Sequence, residues 1–221
     1  MTDPAKRYDL IVFDWDGTLF DSTALIVRCI QAACRDVGAA VPSDAQAAYV
    51  IGLGLDDALR SAVPDLPRER YRDLGLRYRH HYLSSQHELS LFEGTLPMLH
   101  ALRARRHLLG VATGKSRRGL DEALHTAQLK GLFDATRTAD ETASKPDPRM
   151  LRELMEELDV APDRTLMIGD TTHDLELAAN AGVDAVAVSY GAHPQDLLAT
   201  RPAVARCASV EDLRLWLRTS A

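Results

Sequence analysis

The sequence predicts an α/β fold: a parallel sheet covered by helices on both faces and interrupted by one helical insertion. Three observations carry this prediction. Short apolar runs recur at residues 10–13, 108–112, 165–168 and 185–188, and each ends at a polar residue or at Gly-Asp. From residue 91 onward, segments of helical periodicity alternate with these runs, as βαβ units do. Between the first run and residue 91 the pattern is helical, with no convincing strand.

The first run, LIVF at residues 10–13, has the near-continuous apolar character of a strand buried on both faces. It ends at Asp14, and Trp15, Asp16, Gly17 and Thr18 follow. Positions i and i+2 at a strand end share a side, so Asp14 and Asp16 face one site while Trp15 faces away. Gly17 lets the chain turn sharply and approach a ligand. Two crowded carboxylates are tolerated when a cation lies between them or when one keeps a proton. Ser22 or Thr23 caps a helix whose apolar stripe is Leu25, Ile26, Cys29, Ile30 and Ala33, and Gly38 ends it. A short helix starts at Pro42-Ser43-Asp44, the string IGLGL at 51–55 breaks it, and Asp56 or Asp57 restarts a helix that stops before Pro64. Pro67 opens a longer helix over 68–83 with Tyr71, Leu74, Tyr78 and Tyr82 on one side. The insertion leaves and rejoins the chain beside Asp14 and Asp16, so it can form a lid over them.

Residues 91–94 link to a helix over 95–106. A strand at 108–112 ends in Thr113, a helix spans 116–128, and a short strand lies at 135–138. Asp147 serves as N-cap with Pro148 in the first helical position, and that helix runs to about 158. A strand at 165–168 delivers Gly169-Asp170, the next helix ends at Gly182, strands follow at 185–188 and 203–207, and a helix over 210–218 closes the chain. In parallel sheets of this kind ligands bind beyond the carboxyl ends of the strands, which is where Asp14, Thr113 and Asp170 fall.

Three further strings add chemistry to Asp14 and Asp16. In VATGKS at 111–116 a strand runs into a helix start, so a hydroxyl, backbone amides and the positive dipole end converge. That arrangement suits a phosphate, although a simple capping turn is the more common reason for such a string. In SKPDP at 144–148 two prolines stiffen the backbone around Lys145, whose point charge can balance the carboxylates. In IGDTTHD at 168–174, Asp170 and Asp174 lie one helical turn apart near one end of the sheet. Hard oxygen donors of this kind suit Mg²⁺.

Taken in order, these four strings resemble the four motifs of the haloacid dehalogenase superfamily, and DWDGTLFDS at 14–22 resembles its phosphoglycolate-phosphatase-like branch. The resemblance runs from about residue 9 to 216. It implies a Rossmann-like catalytic core, residues 1–21 and 91–221, with an inserted helical (C1-type) cap, residues 22–90. It implies catalytic roles for Asp14 (nucleophile) and Asp16 (acid/base), and phosphate binding by Thr113, Gly114 and Lys145. It also implies Mg²⁺ held by Asp14, by Asp16 through its backbone carbonyl, by Asp170, and by Asp174 directly or through water. The implied activity is hydrolysis of a small phosphate monoester, 2-phosphoglycolate being the branch's substrate, through an aspartyl-phosphate. SYGAH at 189–193 resembles the loop after the next core strand and implies a pocket lining.

An acid at Asp16 favours a phosphatase or a sugar phosphomutase over the dehalogenases, which lack it, and the transport ATPases, which have Thr there. The absence of Lys between Lys6 and Lys115 argues against a phosphonatase. A phosphorelay receiver would be about half as long and would not need Asp16. The mutase and a catalytically silent phosphate-binding module stay open. So do two pairs of readings in the cap. The loop 52–55 is a specificity loop or a break between helices. Arg77, Arg79, His80 and His81 contact an acidic substrate or form a solvated face.

Bulk properties narrow the class. A chain of 221 residues suffices for one large domain or a core with an insertion. A 46% hydrophobic and 26% charged composition is ordinary for a globular protein. A net charge of −6 gives no reason to expect nucleic acid. No run of ~18 apolar residues predicts a membrane span, and the N-terminus lacks the apolar segment of a leader, so a cytoplasmic protein is expected. Cys29, Cys34 and Cys207 form no C-x-x-C and no ligand cluster, as expected of free buried thiols in a reducing compartment. The partner expected is a small phosphorylated metabolite, with no nucleic acid and no membrane. The chain is expected to be a monomer or homodimer, the Tyr-rich cap surface being one place for a dimer contact.

Overall fold

In a computed structural model describing residues 6–221, the apolar run at 10–13 becomes β1 (Leu10–Phe13), a central strand of a six-stranded parallel sheet. Residues 1–5, where the expected core begins and the leader was judged absent, lie outside the described residues. The other strands are β2 (Leu108–Thr113), β3 (Ala135–Thr138), β4 (Thr165–Gly169), β5 (Asp184–Val188) and β6 (Ala205–Cys207), in the order β3-β2-β1-β4-β5-β6. This is the doubly wound Rossmann-like order, which reverses at β1/β4 and opens a crevice at their carboxyl ends. Phe13 pairs with Val111 on one side and Ile168 on the other, and the Asp14 N–H donates to the Ile168 carbonyl at 2.9 Å. The register therefore brings Asp14, Thr113 and Asp170 to one rim.

Period-two alternation divides β1 between two cores. Ile11 and Phe13 pack under α5 (Thr95–Ala104), α6 (Arg117–Thr126) and α10 (Val210–Ser220) through Met98, Leu99, Leu120 and Leu213. Leu10 and Val12 pack under α7 (Arg149–Leu158) and α8 (Thr172–Ala181) through Met150, Leu154 and Leu175. Trp15 points away from Asp14 and Asp16 into the first core, where its ring meets Phe20 and Phe133 at 5.5 and 6.5 Å between centroids.

The helices α1 (Thr23–Asp36), α2 (Asp44–Tyr49), α3 (Leu55–Ala62) and α4 (Tyr71–Ser85) enclose a third core of their own, built on Ile30, Ala33, Leu59, Tyr71 and Leu74. Both chain crossings into this block lie together. The Asp21 N–H donates to the Ser90 carbonyl at 2.9 Å, and Phe20 pairs antiparallel with Leu91. Arg77 and His81 are held on the outside by Asp36 of α1, whereas Arg79 lines the cavity between block and sheet. No helix among the described residues is long and apolar enough to cross a membrane. The three cysteines are buried, and none is joined in a disulfide.

Two caps differ from expectation. Ser22 precedes α1 but does not cap it, because its hydroxyl donates to Asp16 Oδ1 at 2.6 Å. The helix α7 starts one residue late, with Pro148 in the N-cap place and the Asp147 carboxylate accepting from the Arg149 N–H at 3.0 Å. The short α9 (Gln195–Leu198) carries too few residues to show a helical period.

His107, just before β2, is buried and gives Nδ1–H to the Tyr8 carbonyl at 2.9 Å, while Nε2 has no partner among the described residues. Burial drops it from 6.5 to about 4. The unfolded chain therefore binds a proton there that the folded chain refuses until near pH 4, so stability falls as pH drops through this window. We expect this residue to remove up to about 3 kcal/mol. In denaturant unfolding, His107→Gln should have a shallower loss between pH 6.5 and 4 than wild type, and equal slopes would contradict the assignment.

Candidate active site

Asp14 leaves β1 into the crevice, Asp170 follows β4, and Asp174 sits in the first turn of α8. All three are fully buried, and one oxygen from each lies within 4.8 Å of the others. Each is oriented differently. Asp170 Oδ1 accepts from the Thr18 hydroxyl at 2.8 Å, and Oδ2 accepts from the Ala192 N–H at 2.7 Å. Asp174 Oδ2 accepts from the Thr171 N–H and hydroxyl at 3.0 and 2.7 Å, which closes a capping box on α8. Asp14 Oδ1 forms an ion pair with Lys145 Nζ at 2.8 Å, while Oδ2 has no partner among the described residues.

Lys145, 2% exposed, also contacts Asp174 Oδ1 at 2.6 Å. Three carboxylates against one ammonium leave a formal charge of −2 in a dry place. Burial, then the charges of Asp174 and Asp170, hold the Asp14 carboxyl well above the usual range, against the pull of Lys145. Burial and Asp174 push Asp170 up to about 7. Burial opposes the Lys145 charge, but Asp14 and Asp174 more than offset it and hold it protonated. A charge deficit of two, oxygen donors only, and a free Asp14 Oδ2 fit a hard divalent cation, which would reverse the pressure on these carboxyls.

Asp16 stands apart from this triad. Its Oδ1 takes the Ser22 hydroxyl, and its Oδ2 lies 3.0 Å from Lys115 Nζ. Its carboxylate is thus directed to the cavity wall, and any share in cation binding falls to its backbone carbonyl. Thr113 is buried at the rim and accepts from the Lys115 N–H at 3.3 Å. Gly114 faces the loop at 52–54, so close that a Cβ there would stand 2.2 Å from the Leu53 carbonyl oxygen. The amides opening α6 are partly occupied: Arg117 N–H donates to Asp140, and Gly119 N–H donates to Ser116.

The loop 189–193 does not line the cavity. It buttresses Asp170 through Ala192 N–H, and Tyr190 donates to the Thr18 carbonyl at 3.0 Å. A Cβ on Gly191 would come within 2.2 Å of Asp170 Oδ2. Beyond it, the Thr172 N–H donates to His193 Nδ1 at 3.0 Å, which puts the His193 proton on Nε2. That proton and the one on His173 Nε2 both go to the Tyr49 carbonyl, at 3.0 and 2.8 Å. Tyr49 ends α2, so the two histidines clasp the helical block to the core. Lys115, Ser22, Tyr49, Tyr82 and His193 are the site residues that sequence reasoning missed. Lys115 carried a signal as the cation next to Thr113-Gly114, Ser22 was read as a helix cap, and His193 was read within the loop 189–193.

A cavity of about 610 Å³ opens between the sheet rim and the helical block, lined among others by Asp16, Lys115, Leu53, Tyr78, Arg79 and Tyr82. Its volume is in the range that holds a drug-sized ligand.

The family model for haloacid dehalogenase-like hydrolases matches residues 11–188. A 5′-nucleotidase of Pseudomonas aeruginosa is 33% identical, with 99% of this chain and 100% of that protein covered. A phosphoglycolate phosphatase of Aliivibrio fischeri is 31% identical, with 82% and 84% covered. A hydrolase from Pseudomonas syringae of solved structure shares the fold with a TM-score of 0.87 at 22% identity, covering 96% of this chain and 98% of that one. The chain belongs to the haloacid dehalogenase-like hydrolases, and it is an enzyme of that family.

The contact at Gly114 makes a prediction. Gly114→Ala forces the loop 52–54 off the core, at a cost of about 1–3 kcal/mol. Amides of residues 50–54, including Gly54 N–H on Ser144 Oγ, should exchange roughly tenfold faster while the strands keep their protection. Unchanged exchange in the loop would show that the contact does not hold it.

Proposed function

We propose that the chain is a Mg²⁺-dependent phosphatase of small phosphate monoesters, working through a phosphorylated Asp14, with residues 22–90 as a cap over a core of residues 1–21 and 91–221. The observation that carries this reading is the fully buried Asp14, which keeps one carboxylate oxygen unpartnered among the described residues in a cluster with Lys145 and two further carboxylates.

In this reading Asp14, the Asp16 carbonyl, Asp170 and Asp174 hold the Mg²⁺. When bound, the ion neutralises charge so that an anionic carboxylate and an anionic phosphate can meet. A carboxylate oxygen of Asp14 forms the new O–P bond as the ester O–P bond breaks. Asp16 gives its proton to the departing alcohol oxygen, then accepts one from the water that attacks the aspartyl-phosphate and returns Asp14 to its starting form. Thr113, Gly114 and Lys145 hold the non-bridging phosphate oxygens. The cap excludes bulk water.

The branch resemblance makes 2-phosphoglycolate the first candidate, and Arg79 in the cavity wall is a counter-charge for its carboxylate. A second substrate reading, a nucleoside monophosphate, is favoured by the roughly 610 Å³ cavity, which exceeds the needs of a two-carbon acid. The nucleotidase relative points the same way.

The test is phosphate release from a panel holding 2-phosphoglycolate, nucleoside monophosphates and sugar phosphates. Wild type with Mg²⁺ should turn over at least one class, and Asp14→Asn should lose at least about 10³-fold in kcat. The preferred ester assigns the substrate. A folded wild type that releases phosphate from none of them would refute the phosphatase reading.

A further inference from the structure

Outside the triad around Lys145, a second, part-buried cation stands at the cavity wall. Lys115 Nζ lies 3.0 Å from Asp16 Oδ2 and 2.9 Å from the Tyr82 hydroxyl oxygen, and 4.6 Å from the centre of the Tyr82 ring. Its backbone is fixed to the core, since its N–H donates to Thr113 Oγ1 and its carbonyl accepts from the Ala139 N–H. Tyr82 belongs to α4 of the helical block and stacks on Tyr78, 6.0 Å between centroids. Lys115 thus runs from the core rim to the block and meets Asp16 on the way.

Asp16 is gripped from two sides. Ser22 holds Oδ1 at 2.6 Å from the segment leading into α1, and Lys115 holds Oδ2. An unrestrained Asp side chain samples several rotamers. These two contacts leave one, with the carboxyl turned to the cavity where a leaving alcohol would lie. We infer that Lys115 is a positioning residue for the acid/base carboxyl of Asp16, and that Tyr82 ties this positioning to the closed cap. The inference rests on the phosphatase reading and deepens it. A cap that lifts takes Tyr82 away from Lys115 and loosens one of the two grips on Asp16. The acid/base group is then set only over an enclosed ester. Burial disfavours the Lys115 charge, but Asp16 and Tyr82 more than offset this and keep it protonated.

The chemistry of the leaving group separates positioning from simple charge. When the bond from phosphorus to an alkyl oxygen breaks, the alcohol must take the Asp16 proton as Asp14 takes the phosphoryl group. A 4-nitrophenolate leaves as a stable anion and needs no such proton. A cation that only attracts phosphate serves both esters alike. The measurement is kcat/KM, which covers the steps up to alcohol release, for 4-nitrophenyl phosphate and for the alkyl ester the wild type uses best.

Lys115→Met should lower the alkyl value by about 100-fold and the nitrophenyl value by less than about tenfold. Tyr82→Phe, which keeps the ring and loses the hydroxyl, should shift the ratio the same way by a smaller factor. Lys115→Arg should recover part of the alkyl activity. If Lys115→Met does not fold, Tyr82→Phe and Lys115→Arg carry the ratio test. An equal loss on both esters, or no loss on either, would overturn the positioning role. Wild-type failure on both esters would instead strike the phosphatase reading itself, and the Lys115 role with it.

Discussion

The burial of three carboxylates around one ammonium is the constraint on which the rest of this structure depends. Left alone, Asp14, Asp170 and Asp174 would repel one another and lose their hydration. Lys145 answers part of that charge through ion pairs of 2.8 and 2.6 Å. Thr18, Thr171 and the Ala192 amide take four of the remaining lone-pair directions. These donors come from the turn after β1, the start of α8 and the loop after β5. The strand order that sets β1 beside β4 is therefore what makes the cluster possible. One carboxylate oxygen of the cluster, Asp14 Oδ2, is left without a partner among the described residues.

A second level of organisation joins the helical block to this cluster. The Tyr49 carbonyl receives both imidazole N–H groups at the end of α2. Gly54 N–H meets Ser144 beside Lys145. Tyr82 meets Lys115 beside Asp16. Each of the three contacts ends on a residue adjacent to, or paired with, a member of the proposed machinery. The helical block is thereby joined to the cluster through hydrogen bonds.

Much of this was legible in the sequence, for identifiable reasons. The strand runs at 10–13, 108–112, 165–168 and 185–188 are buried on both faces, and burial on both faces leaves an uninterrupted apolar string. Each run ends where solvent or ligand begins, so Asp14, Thr113 and Asp170 stood out as polar residues at strand ends. Lys145 was marked by the two prolines that follow it, Pro146 and Pro148. What could not be read were contacts between loops distant in sequence. Ser22 looked like a helix cap because the cap pattern is local, whereas its true acceptor is set by the turn of Gly17 (φ 84°). His193 and Tyr49 lie 144 positions apart, and no periodicity links them. Lys115 looked like part of a phosphate turn, and only the packing of α4 reveals that it points to Asp16.

The central claim is that the buried cluster, with one of its three carboxylate charges balanced by Lys145, is a site completed by a divalent cation. Thermal unfolding of the full chain at neutral pH, titrated with Mg²⁺ at constant ionic strength, tests it most directly. The account predicts a Tm that rises with Mg²⁺ in wild type, since an ion bound only by the folded state stabilises it, and a rise that disappears in Asp170→Asn. A wild-type Tm indifferent to Mg²⁺, or the same rise in Asp170→Asn, would contradict it.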